Sequence, residues 1–129
     1  MKRKITKEQY KKEIEKNPNV LDYPKVLEEK SVILDIPYTS WLVVKNKFPY
    51  LEYEEMPVAR HHLLIPKMND LEELEDLESC DFDDIKETIK EYKKFLRPKQ
   101  ALIISFKDRY EDRSIKKFHI HLIVVNKEK

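Results

Sequence analysis

Glycine is absent from this chain of 129 residues. It is the usual residue where a backbone must take positive φ or approach a phosphate closely. Gly-rich phosphate loops are therefore excluded. Cysteine is almost absent too, since Cys80 is the only one. No intrachain disulfide can form, which points to a reducing compartment and makes a cytoplasmic location the expectation. No apolar run is long enough to span a bilayer. No apolar stretch follows the basic stretch Met1 to Lys4, so no secretory signal is read there. The net charge is only +1, so no global field selects a nucleic acid or a membrane.

What remains is a soluble globular mixture, 40% hydrophobic and 40% charged, with one Trp, seven Tyr and five Phe for a core. This length fits one main core. The reading divides the chain into an N-terminal helical extension, 1–30, and a main domain, 31–129. Thr6-Lys-Glu-Gln9 reads as a capping box opening a helix that ends near Asn17-Pro18. Leu21 to Lys30 is ambiguous and has room for a short helix. Strands are expected at Ser31–Ile36, Trp41–Lys47, His62–Ile65, Ala101–Phe106 and Phe118–Val125. Pro49 to Arg60, with several acids and two prolines, reads as a solvated loop.

Leu71, Leu74 and Leu77 fall at roughly helical spacing, and Asp81 is expected to cap the next helix. There Phe82, Ile85, Ile89, Tyr92 and Leu96 make one apolar stripe before Pro98. The expected class is α+β, an antiparallel sheet of about five strands with a long helix packed across one side.

The sharpest feature is Lys117-Phe-His119-Ile-His121-Leu-Ile-Val-Val125. Side chains alternate faces along a strand. Phe118, Ile120, Leu122 and Val124 share the expected core face, and Lys117, His119 and His121 share the other, about 7 Å apart in succession. A neutral imidazole can attack phosphorus, a second can donate to a phosphate oxygen, and a lysine can offset negative charge. By itself the pair also fits an inert strand face or a metal site using His119, His121 and His62.

The surrounding order extends the pattern. Trp41-Leu-Val-Val-Lys-Asn46-Lys-Phe48-Pro-Tyr50 comes first, then His61-His62-Leu-Leu-Ile-Pro-Lys67, a long amphipathic helix, Arg113-Ser114 and the His pair. In this order the chain resembles the histidine-triad family over roughly residues 31–126. The family pattern is three histidines alternating with apolar residues, then two more apolar residues. Lys117, His119 and His121 occupy the three positions here, followed by Leu122 and Ile123.

The resemblance implies a HIT-like fold and a nucleotide hydrolase or nucleotidyl transferase acting on a phosphoramidate or dinucleoside polyphosphate. His119 would attack the α-phosphorus and carry the nucleotidyl group, and His121 would contact phosphate oxygens. Ser114 would hydrogen-bond near the leaving group. Asn46 would hold the ribose hydroxyls, with Val44 and Phe48 near the base. His62 would support the triad from behind; alternation lets only one of His61 and His62 do so, and the apolar strand after His62 favours it.

No cofactor or metal is required by that mechanism. A homodimer is expected, with the Tyr92 to Leu96 end of the long helix as a candidate surface. The chain departs from the pattern at Lys117, which has donors only. It would either keep His119 neutral by like-charge repulsion or interrupt the relay, leaving a catalytically impaired nucleotide-binding module. It departs again at Lys107–Arg113. Where the family has a glycine-rich loop, Lys107, Arg109 and Arg113 stand either as phosphate contacts or as part of a solvated loop of mixed charge.

Overall fold

Chain reversals in this protein are made without glycine, and among the described residues four take positive φ: Lys30, Glu54, Glu55 and Lys99. The computed structural model describes residues 2–3, 5–16, 21–68, 71–109, 111, 113 and 115–127. A two-residue strand β1 (Lys2–Arg3) leads to α1 (Lys7–Lys16) and α2 (Tyr23–Glu28). Strands β2 (Val32–Asp35), β3 (Trp41–Lys45), β4 (Tyr50–Tyr53) and β5 (Met56–Pro66) follow. Then come α3 (Ser79–Tyr92), β6 (Gln100–Ser105) and β7 (Ile120–Asn126). Short 3-10 turns at Leu74–Asp76 and Lys93–Phe95 flank α3.

The molecule is α+β. Five strands run in the order β2-β3-β5-β7-β6, all antiparallel, with β4 and then β1 added beside the start of β5. Both faces of the central strands are covered. Trp41, Val43, Leu64, Leu122 and Val124 pack with Ile85, Ile89 and Tyr92 of α3. On the opposite face Leu42, Val44, Leu63 and Ile65 pack with Ile14 of α1, Val26 of α2 and Leu21 just before α2. The central strands are therefore apolar on both sides, as their near-continuous Val, Leu and Ile runs require.

Local chemistry explains the element ends. The expected capping box is present: the Thr6 N–H donates to Gln9 Oε1 at 2.9 Å, and the Gln9 N–H donates to Thr6 Oγ1 at 3.1 Å. Helix α2 closes with the Lys30 N–H on Leu27 O and the Ser31 N–H on Val26 O, and Lys30 takes the left-handed position (φ 53) that glycine usually fills. Asp81 caps α3 as expected, from its third position, in a capping box with Glu78 before the helix. Its carboxylate reaches back to the Glu78 N–H at 2.9 Å and accepts from Trp41 Nε1 at 3.0 Å, tying α3 to β3.

Two expectations are corrected. The stretch from Pro49 to Arg60 is not a loop but the β4–β5 hairpin. Tyr53 pairs with Met56, and Glu54 and Glu55 (φ 47 and 68) form the two-residue turn between them. The apolar stripe of α3 begins at Ile85, because Phe82 is half-exposed; at the other end Tyr92 is buried, so only Phe95 there offers exposed apolar surface. Among the described residues, no helix is long and apolar enough to cross a membrane.

Candidate functional site

The site forms where β7 begins, on the face turned toward α1 and α2. Leu122 and Val124 point to the α3 side as alternation requires, and His121 points away from it, opposite Leu63 of β5. Two residues before Leu63, on the same face of β5, stands His61. This diagonal placement brings the rings of His61 and His121 to 5.0 Å, with Nε2 of His61 2.8 Å from Nδ1 of His121. The His119 ring lies 5.1 Å from that of His121 on its other side. Three imidazoles thus stand in a row, His119, His121, His61. His61 and His119 are almost fully buried, at 3% and 7% exposure.

Backbone groups set the protonation of this row. The Tyr50 N–H, which can only donate, lies 2.9 Å from Nδ1 of His61. Nδ1 must accept, so neutral His61 carries its proton on Nε2 and donates it to Nδ1 of His121. His121 then carries its own proton on Nε2. At the other end, the carbonyl of Lys117, which can only accept, lies 2.8 Å from Nδ1 of His119. Neutral His119 therefore holds its proton on Nδ1 and keeps Nε2 as its acceptor nitrogen. In these tautomers one imidazole presents an acceptor nitrogen and its neighbour an N–H donor.

His119 and His121 line a polar cavity with Tyr10, Tyr50, Lys107, Arg113 and Ile115. The Tyr50 ring stacks on both His61 (4.4 Å) and His121 (6.0 Å). Arg113 is 3% exposed; it lies 5.4 Å over the Phe118 ring and donates from Nη2 to the Glu72 carbonyl. Arg109 is exposed and faces Glu111 at 3.9 Å. A second, more apolar cavity lined by Ile14, Leu21, Val26, Asn46 and Phe48 adjoins the first at Ile115.

Asn46 lies beside the row, its Nδ2 at 3.3 Å from both ring nitrogens of His61. Its Oδ1 accepts from the Phe48 N–H at 2.9 Å, a turn bond at the end of β3. Phe48 lines the apolar cavity, whereas Val44 is wholly buried in the core between sheet and helices. Ser114 lies outside the described residues.

Two expected site residues stand elsewhere. His62 faces the α3 side, with Nδ1 2.8 Å from the Tyr92 hydroxyl, so it neither backs the triad nor joins His119 and His121 around a metal. Burial, then the charges of Arg60 and Lys45, lowers its pKa to about 4. The histidine of β5 that meets His121 is His61. Lys117, three residues before β7, is not among the residues lining the histidine cavity, although His119 and His121 are. Burial brings its pKa down to about 8, with Asp22 opposing the shift. It reaches the triad through its carbonyl.

The sequence reading left out Tyr10 and Tyr50 and did not choose His61. Strand parity was the only available signal for His61, and Leu63, Leu64 and Ile65 after it are apolar on both faces. No family model, curated protein or solved structure matches the chain.

Proposed function

We propose that the chain is a nucleotidyl hydrolase or transferase of the histidine-triad type, with a HIT-like arrangement of sheet and α3. The observation that carries this reading is the relay Tyr50 N–H, His61, His121 together with the separate anchoring of His119 on the Lys117 carbonyl. Nε2 of His119 attacks the α-phosphorus of a nucleoside phosphate derivative. A P–N bond forms as the bond to the leaving group breaks. Nε2–H of His121 donates to a non-bridging oxygen, where charge develops, and Lys107 and Arg113 supply positive charge in the same cavity. Water or another acceptor then attacks phosphorus and restores the imidazole. In this reading the nucleoside lies toward Asn46 and Phe48, which line the neighbouring cavity that meets the polar one at Ile115.

Lys117 in the first triad position is compatible with turnover, because the anchoring of His119 uses a backbone carbonyl that any residue provides. The test is hydrolysis of an adenosine phosphoramidate and of a dinucleoside polyphosphate by wild type and His119→Ala. The expected result is turnover by wild type, a nucleotidyl-protein adduct trapped on rapid quenching, and neither in the variant. Equal rates in the two proteins refute the reading.

A further inference from the structure

The N-terminal helix carries a side chain into the histidine cavity. Tyr10 and Ile14 lie one turn apart on α1, so they share a helix face. Ile14 is buried in the core and lines the apolar cavity, while Tyr10, one turn earlier, lines the polar one beside His119 and His121. The Tyr10 ring meets Phe48 edge-on, with centroids 5.5 Å apart and planes at 87°. Phe48 in turn holds Asn46 through its N–H, and Asn46 touches His61. One helix face therefore lines both cavities, which meet at Ile115. The helix is itself fixed, at its start by the Thr6–Gln9 box and further along by Ile14.

The chemistry of the polar cavity says what Tyr10 meets there. Among the described residues that line it, none is acidic. Besides Ile115, they are two histidines, a lysine, an arginine and two tyrosines. That wall suits an anion, and a phenol adds one more O–H donor to it. We propose that Tyr10 is a ligand-binding residue: its hydroxyl donates to a phosphate oxygen of the nucleotide held against His119, and its ring, braced by Phe48, bounds the nucleoside. The first thirty residues then contribute to substrate recognition as well as to packing. This rests on the nucleotidyl-transfer reading, which supplies the ligand.

A hydrogen bond to a charged oxygen is worth about 1.5–3 kcal/mol, a factor of about ten or more in affinity. The test is calorimetric titration of wild type, Tyr10→Phe and Tyr10→Ala with adenosine monophosphate, with steady-state kinetics on an adenosine phosphoramidate alongside. Tyr10→Phe keeps the ring and its contact with Phe48, and its melting temperature, read alongside, separates a loss of affinity from a loss of fold. Its affinity should fall about tenfold. In kinetics KM should rise, with kcat within about threefold of wild type, because bond making belongs to His119. Tyr10→Ala should lose more affinity, since the ring goes too.

A Tyr10→Phe affinity within about twofold of wild type, with wild type binding well, overturns the role of Tyr10 and leaves nucleotidyl transfer standing. Wild type that binds no mononucleotide overturns both.

Discussion

His61 donates from Nε2 to Nδ1 of His121 across neighbouring strands, at 2.8 Å, while the Tyr50 N–H occupies its other nitrogen. The pair behaves as one unit, because the tautomer of the second ring is dictated by the first. His61→Ala should therefore lower kcat/KM by about 10²-fold, within the range for a positioned proton-transfer group, although His61 itself touches no substrate. His62→Gln, one residue away, should turn over at close to the wild-type rate because its side chain lies on the α3 face. Steady-state kinetics of the two variants side by side check the assignment, and a reversed order of effects would overturn it.

Lys117 is expected to matter for stability more than for turnover. Lys117→Met retains the carbonyl that anchors His119, so kcat/KM should stay within about threefold of wild type. Burial holds the Lys117 pKa at about 8, below its ordinary 10.5. Between those values the unfolded chain binds the proton more firmly than the folded one, so this group makes stability rise as pH climbs through that window. Chemical denaturation at several alkaline pH values should show that wild-type gain, and Lys117→Met should lack it.

His62 acts with the same sign in an acidic window. Its folded pKa of about 4 lies below the ordinary 6.5. As pH falls through 6.5 the unfolded chain takes up a proton that the folded chain refuses until near 4. Stability from this group is complete above 6.5 and is lost on acidification toward 4. His62→Gln removes the titration while leaving an acceptor for the Tyr92 hydroxyl. Its melting temperature should fall less steeply than that of wild type over this range. Parallel curves would exclude His62 as the source.

The hairpin turn offers a stabilising change. Glu54 and Glu55 both occupy the left-handed region, which costs a non-glycine residue about 1–2 kcal/mol. Replacing them by Asn-Gly, the pair such turns favour, should raise unfolding free energy by about 1 kcal/mol after the added flexibility of glycine in the unfolded chain. Urea denaturation reads this directly, as a higher midpoint at unchanged slope.

That turn also explains what was hard to read. Asn-Gly or Asp-Gly between alternating residues announces a hairpin, and Glu-Glu announces nothing; β4 and the first half of β5 stayed hidden behind an acidic, proline-containing stretch. Where local signals agreed, reading was direct. The Thr6–Gln9 box lies where expected, β6 begins and ends within a residue of its reading, and the α3 stripe is right from Ile85 onward. Alternation before Phe118-His119-Ile120-His121 separated the core face from the site face without help from the fold. Choosing between His61 and His62 needed the pairing of β5 with β7, because a central strand covered on both sides carries no polar face to orient it. Tyr10 was out of reach for a similar reason: nothing local tells which surface a helix at the start of the chain will cover.

Two adjacent histidines on β5 live in unlike surroundings, one wired to His121 and one kept neutral against Tyr92. A slip of a single residue along that strand would exchange them, presenting the wrong imidazole to the triad and turning Leu63 and Leu64 to the wrong cores. The tight Glu54–Glu55 reversal, just ahead of β5, counts residues into the strand and thereby decides which histidine arrives. Lengthening that reversal by one residue is therefore a change in the wiring of the site, made at a place that touches none of its atoms.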